Sequence, residues 1–208
     1  MNPTDTENVQ SKQTASADDA VWVQQAQAGE SAGWAELHRE YYPKLWSVVN
    51  QIILDASIAE DIVQESFIKA YRQIGRFRGQ SKFGTWIYRI AVNQALDAVR
   101  KKNRRQRWFQ ILPWNQEDDE NDPVQELPAP EKTMSEAERT DLRTAIARAL
   151  EILTPEHRAV VELRLVQGLS TEETAQILKC KKGTVLSRLF YSCQKLQPIL
   201  KQTYEELG

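Results

Sequence analysis

From Ala20 onward the apolar positions recur at helical spacing. Trp34, Leu37, Tyr41, Leu45, Val48, Val49 and Ile52 follow at three- and four-residue steps, predicting one buried stripe on a long helix. Pro43 stands inside that run, and its ring opposes the carbonyl four residues back, so a kink or a split is expected there. Ser57-Ile58-Ala59-Glu60 has the form of a capping box. The helix it opens carries Ala59, Ile62, Val63, Phe67, Ala70, Tyr71 and Ile74 on one face. The opposite face carries Asp61, Gln64, Glu65, Lys69 and Arg72, and Gly75 is expected to end the helix. A third helix is expected from Thr85 to Arg105, with Ile87, Ile90, Ala91, Ala95 and Ala98 packed on the first two.

Residues 1–18 are polar, aperiodic and expected to be a disordered tail. Residues 115–132 (NQEDDENDPVQELPAPEK) combine an acidic run with prolines and no apolar period. They form the heart of a linker over 108–134 that separates a domain at 19–107 from one at 135–208. Helical pattern resumes around Ser135, with Leu142, Ile146, Leu150 and Leu153. Thr154-Pro155 reads as a cap followed by proline at the first helical position. Val160, Val161, Leu163 and Leu165 follow inward, and Gly168 closes that helix. Nothing alternates in the manner of a strand. The expected fold is all-α: two small helical domains joined by a flexible acidic linker.

Composition narrows the function. No stretch reaches the roughly 18 apolar residues of a membrane span, and the N-terminus lacks the basic start and apolar core of a secretion signal. Cys180 and Cys193 are too few for a disulfide framework, and with His38 and His157 they make a poor zinc set. A soluble, cytoplasmic protein with no metal or other cofactor and no membrane insertion is expected. The formal net charge of −2 conceals a sharp division along the chain. Residues 69–107 hold 12 basic side chains and a single acidic one, Asp97. The flanking segments 1–68 and 108–141 are each net −8, and 142–208 is net +3. Such blocks point to a polyanion-binding surface held between acidic segments. The run RKKNRRQR (Arg100 to Arg107) exceeds what a helix dipole accounts for, since that effect is confined to the last turn.

The segment LSTEETAQILKCKKGTVLSRLFYSCQKL after Gly168 adds a motif. Ser170 and Glu173 form a second capping box. Ala175 and Leu178 face inward on a short helix, a turn follows at Lys179 and Cys180, and Val185 and Leu189 face inward on a longer one. Two helices cross this closely only where the contact side chain is small, the role open to Ala175 in a helix-turn-helix. The second helix starts with Lys181, Lys182, Gly183 and Thr184, then Ser187 and Arg188, types that reach phosphates and base edges.

Together these blocks resemble a known family. AEDIVQESFIKAYRQIGRFRGQSKFGTWIYRIAVNQALDAVRKKNRR (Ala59 to Arg105) resembles the second conserved region of bacterial sigma factors. LEILTPEHRAVVELRLVQGLSTEETAQILKCKKGTVLSRLFYSCQKL (Leu150 to Leu196) resembles their fourth. With no substantial domain between them, the chain is similar to the small extracytoplasmic-function group, over about Asp19 to Leu200. The resemblance implies a sigma factor that binds the beta and beta-prime subunits of core RNA polymerase and directs promoter recognition. It also implies a stress or envelope-response regulon under an anti-sigma factor. Asp61, Gln64, Glu65 and Arg72 would dock on the polymerase clamp. Phe77, Arg78, Lys82, Phe83, Trp86, Arg89, Asn93, Arg100, Lys101 and Arg104 would recognise and open the minus-ten element. Aromatic faces can stack on an unpaired base and a flipped base can be held in a pocket, though Trp86 reads equally well as core. Lys181, Lys182, Thr184, Ser187 and Arg188 would read the minus-thirty-five element.

Departures from the family pattern matter too. Primary sigma factors carry paired tryptophans where this chain has Trp86-Ile87, which implies a more promoter-selective factor. Many relatives have glycine at Lys179, a position often left-handed. Lysine there costs on the order of 1 kcal/mol, so a locally different turn is expected. The carboxylates Glu117 to Glu120 and Asp122 read either as a solubilising linker or as mimics of nucleic-acid charge inside the polymerase. Cys180 and Cys193 read as core fillers rather than redox sensors.

Three rival functions stand beside this one. A dimeric repressor or activator would leave residues 59–105 unexplained. A metal-dependent nuclease would need the linker carboxylates on a rigid scaffold, and no nucleophile–base constellation recommends another enzyme. A helical adaptor would bind any duplex alike.

Overall fold

A computed structural model describes residues 19–109 and 150–206, the side chains of 105–109 and 202–206 excepted. The tail 1–18, the linker carboxylates, Leu142 and Ile146 therefore lie outside the described residues. Among the described residues there is no strand, and no helix is long and apolar enough to cross a membrane.

Helix α1 (19–27) turns at Gly29, φ +86°, into α2 (Ser31–Ile53). Leu37, Tyr41, Leu45, Val48, Val49 and Ile52 are buried as one stripe, with Trp34 at its edge. Pro43 does not split α2, contrary to expectation. It lies on the exposed side, where the carbonyl it deprives of a partner can be hydrated. Gly33 is where α1 crosses α2: a Cβ there would sit 2.5 Å from the Trp22 carbonyl oxygen and 2.5 Å from Gln25 Cβ.

Helix α3 (Ala56–Gln73) is capped by Asp55, whose carboxylate accepts from the Ile58 amide at 3.1 Å. The expected box at Ser57–Glu60 is therefore not the cap: aspartate two residues earlier takes the role, and both residues fall inside the helix. Gly75 does not end α3 in a left-handed turn either. The helix tightens at Ile74–Arg76 into a 3₁₀ turn. On the buried face Ala59, Ile62, Val63, Phe67 and Ala70 behave as the period predicts, but Tyr71 is exposed, with its ring edge against Trp34 at 5.2 Å. Ser66 is buried in the stripe instead, its hydroxyl donating to the Ile62 carbonyl and pairing with Gln94.

Helix α4 (Phe83–Phe109) is longer than expected at both ends. Residues 150–151 belong to α5. Thr154 caps α6 (Pro155–Val161) with Pro155 in the first turn, as the sequence indicates. The chain then winds one π-helical turn at Glu162–Val166, where the Gln167 amide reaches the Glu162 carbonyl at 2.9 Å. Five-residue spacing throws the following side chains out of phase with an α stripe. Leu165, expected inside, is accordingly 57% exposed.

Gly168, φ +65°, leads into α7 (Thr171–Leu178) with both bonds of the Ser170/Glu173 box formed. Lys179 then turns the chain at φ 53°, ψ 43°, into α8 (Lys182–Glu206). The expected local difference is absent: lysine adopts the left-handed turn itself. Lys179→Asn, which keeps a side chain but tolerates this region better, is expected to gain about 0.5 to 1 kcal/mol, read as a higher midpoint in urea unfolding.

Val160, Ala175, Val185 and Leu189 form the kernel of the α6–α8 unit, with Cys180 and Cys193 packed on it. Burial pushes both thiols up, with Arg188 opposing the effect at Cys180. The larger core joins α2, α3 and α4 and runs on into Ala159, Leu163 and Ile177, so the two halves share one apolar interior.

Candidate nucleic-acid and partner interfaces

A cationic surface is built where α3 hands the chain to α4. The 3₁₀ turn and Gly79, φ +67°, bend residues 74–82 into a loop. Gln27 on α1 braces it, its amide donating to the Ile74 and Phe77 carbonyls at 2.9 Å each. Neither the notion of a brace nor Gln27 is readable in the sequence, because a lone glutamine on a helix carries no period. Three rings support the loop: Phe77 lies 5.2 Å and Phe83 5.6 Å from Trp86. Phe83 is 3% exposed, its ring also 5.2 Å from Tyr41, so it is a packing residue here and offers no free face. Burial and the Asp19 carboxylate on its hydroxyl push the Tyr41 phenol well up.

Trp86 is half-buried and lines a cavity of about 350 Å³ together with Arg76, Phe77, Arg78, Gln80, Ser81, Arg89 and Gln176. The indole packs on the phenylalanines and also lines the cavity that Arg76, Arg78 and Arg89 share. Such a combination suits stacking on a base beside its phosphates. Arg76 belongs to this set, although it is not among the residues that the resemblance puts on the minus-ten element. Asn93, one turn on, donates from its side-chain amide to the Arg89 carbonyl at 2.5 Å. Arg100, Lys101 and Arg104 continue the exposed basic edge of α4.

Not all of these cations are free. Lys82 Nζ lies 3.0 Å from Glu173 Oε1, and Arg100 Nη2 lies 3.5 Å from Glu156 Oε1. Burial raises the Glu173 carboxyl, but the Ser170 amide and hydroxyl and the Lys82 ammonium outweigh it and leave a net lowering.

Asp61, Gln64, Glu65 and Arg72 are all exposed on one side of α3. Ile68, 51% exposed, stands among them, an apolar residue that the polar pattern did not single out.

The helix-turn-helix places Lys181, Lys182, Thr184, Ser187 and Arg188 at the start of α8. Lys181 and Lys182 are exposed, with Lys182 Nζ 3.0 Å from Glu172 Oε2, and the Ser187 hydroxyl donates to the Thr184 carbonyl at 3.2 Å. Arg188 and Lys195 lie close enough to His157 to add to the lowering of its pKa that burial causes.

Polar contacts also join the halves. Buried Arg158 donates from Nη1 to the Leu153 carbonyl at 2.6 Å and from Nη2 to the Ile52 carbonyl at 2.8 Å. Ser47 donates to Glu162 at 2.6 Å, and the Tyr88 hydroxyl donates to Gln167 at 2.9 Å. Burial, then Glu162, pushes the Tyr88 phenol up.

Comparison with known proteins gives these surfaces their context. Residues 37–105 match the family described as Sigma-70 region 2, and residues 143–196 match Sigma-70, region 4. The chain is similar to the RNA polymerase sigma-H factor of Pseudomonas aeruginosa, 33% identical over 88% of this chain and 96% of the relative. It is also similar to the ECF RNA polymerase sigma-E factor of Escherichia coli strain K12, 36% identical over 88% of this chain and 97% of the relative. Among solved structures it resembles the sigma factor RpoE in complex with the anti-sigma factor NepR from Bartonella quintana. That likeness has a TM-score of 0.58 and 25% identity, covering 80% of this chain and 97% of that one.

Proposed function

We propose a division of labour for a chain that belongs to the extracytoplasmic-function (ECF) group of the sigma-70 RNA polymerase sigma factors. As a sigma factor it directs promoter recognition and transcription initiation by core RNA polymerase. The exposed side of α3, with Asp61, Gln64, Glu65 and Arg72, docks on the polymerase. The loop and α4 take the minus-ten element, and the first turns of α8 take the minus-thirty-five element. The observation that carries this reading is the cavity in which Arg76, Arg78 and Arg89 surround the half-buried Trp86. Guanidinium groups can hold the strand backbone there while the indole face receives an unstacked base. Lys82, Arg100, Lys101 and Arg104 extend the phosphate track, and Asn93 turns from the Arg89 carbonyl to a base edge.

The protein supplies position rather than covalent chemistry, works in the cytoplasm and answers to an anti-sigma factor. The similar sigma factor solved with an anti-sigma partner supports that last point.

Run-off transcription with core polymerase and a fragmented genomic library tests the reading. Discrete start sites sharing two spaced elements are expected. Trp86→Ala should lower heparin-resistant complexes about 10- to 100-fold, from stacking of about 1–3 kcal/mol per base. Lys181→Ala with Arg188→Ala should abolish dependence on the upstream element while leaving core binding intact. Specific duplex binding without transcription would instead favour a free-standing regulator.

A further inference from the structure

We propose that Leu186 is a specificity residue of α8, its side chain taking the C5-methyl group of a thymine in the minus-thirty-five element. This rests on the assignment of α8 to that element in the proposed function above. It adds a residue that the resemblance does not put there.

The phase of α8 singles Leu186 out. Val185, Leu189, Ser192 and Leu196 are all buried, at steps of four, three and four residues, and define the inward side of the helix. At about 100° per residue, Leu186 stands a quarter-turn or more away from that side, and it is 44% exposed. Phe190, one turn on along the same edge, is half-buried. One turn back is Gly183, where an added Cβ would meet nothing within 4 Å. The edge is thus a short apolar strip, open at Gly183 and Leu186 and backed by an aromatic ring.

A single exposed leucine is ordinary on a protein surface. This one is set among groups suited to DNA. Lys181 and Lys182 are exposed at the start of the helix, and Thr184, Ser187 and Arg188 occupy its other edge. Cations in that place complement the phosphates flanking a major groove, and the first turns of such a helix are the part that meets base edges. Leu186 is the fifth residue of α8. The surrounding charge therefore favours a duplex over an apolar protein partner as the occupant.

Groove chemistry then selects the base. Apart from hydrogen-bond donors and acceptors, the major groove displays one apolar group, the thymine C5-methyl. Leucine against that methyl removes apolar surface from water on both sides. Leucine against a guanine or cytosine edge strips water from polar atoms and returns no hydrogen bond. Attraction to thymine and rejection of G·C pairs come from the same side chain. The neighbouring hydroxyls discriminate less, since Ser and Thr bond to either kind of base, and that of Ser187 donates to the Thr184 carbonyl at 3.2 Å.

The test uses holoenzyme assembled from the full chain and core polymerase, with a promoter found by run-off mapping. Thymines of its upstream element are replaced one at a time by deoxyuridine, which keeps every hydrogen-bonding atom and lacks only the methyl. Binding is read by titration of fluorescein-labelled promoter duplex. At one thymine the replacement is expected to weaken wild-type binding about 3- to 5-fold, the worth of one buried methyl. Leu186→Ala should weaken binding to the thymine duplex at least 3-fold and then bind the thymine and deoxyuridine duplexes alike. Leu186→Gln, of similar reach but polar, should lose the methyl effect as well. Lys181→Ala should weaken both duplexes and keep the difference between them. Wild-type midpoints in urea are expected for both Leu186 variants, because the side chain is exposed.

Wild-type binding that ignores deoxyuridine at every thymine would overturn the proposal, as would an element of G·C pairs alone. A Leu186→Ala chain that keeps the deoxyuridine effect would assign the methyl to another side chain. Unchanged promoter binding by Leu186→Ala would overturn it in favour of a protein partner on this edge. Failure of the underlying assignment reads differently: scrambling the whole upstream element would then leave wild-type binding unchanged.

Discussion

Gly33→Val is expected to destabilise the chain by about 3 kcal/mol, the upper part of the range for overpacking a close contact, and to slow promoter opening several-fold. The reason is local. A Cβ at residue 33 meets the Trp22 carbonyl oxygen and Gln25 Cβ at 2.5 Å each. One obstacle is backbone, so α1 as a whole must shift. That helix carries Gln27, the brace on the Ile74 and Phe77 carbonyls, and Asp19, the partner of the Tyr41 hydroxyl. Displacing it frees the loop that presents Arg78 and supports Trp86. Gly33→Ala should cost less, because alanine's helix propensity returns about 1 kcal/mol. Gln27→Ala should affect opening with little change in stability. Urea unfolding and heparin-resistant complex formation read the two effects separately. Wild-type opening by a destabilised Gly33→Val chain would show that α1 does not govern the loop.

Arg158→Met is expected to cost about 2 to 4 kcal/mol, from two buried carbonyls losing their donor at roughly 1–3 kcal/mol each. The guanidinium spans Leu153 of its own half and Ile52 of the other, with no carboxylate among its hydrogen-bond partners. It tolerates burial because the Ile52 carbonyl lies in the last turn of α2, the negative end of a 23-residue helix. Methionine fills the space but donates nothing. Arg158→Lys should recover less than half of the loss, since one ammonium cannot reproduce a fork that reaches both oxygens. Unfolding free energies from urea titration measure all three chains. Equal stability of the lysine and arginine forms would refute the two-carbonyl account.

Much of the fold was legible in the sequence because its signals are local and periodic. The α2 stripe, the Thr154-Pro155 start and the Ser170/Glu173 box all formed as the residue types require. The α3 cap was misread because Asp55 and Ser57 are both good caps, and spacing alone does not rank them. Leu165 was misplaced because a π turn leaves no mark in an apolar pattern. The candidate site divides along the same line. Exposure of Asp61, Gln64, Glu65 and Arg72 follows from helical phase. Engagement of Lys82 and Arg100 by carboxylates, the Gln27 brace and the Arg158 fork are long-range polar contacts, which no local pattern encodes. Phe83 shows the limit from the other side: an aromatic in a basic loop looked like a base-stacking face, yet the ring completes the core beneath it.

The Arg158–Ile52 bond joins residues 106 positions apart, and this sets a clock during synthesis. At about 5–20 residues per second, roughly 5 to 20 s separate the appearance of Ile52 from that of Arg158. From the end of α4 at Phe109, for roughly 2 to 10 s of that interval, a nascent α2–α4 bundle stands on the ribosome with its apolar flank and its whole cationic edge uncovered. A partner of the cationic edge that arrives in that window meets Lys82 and Arg100 before Glu173 and Glu156 are made, whereas one that arrives after release meets them already paired. Capture should therefore depend on when the partner is supplied as well as on how much.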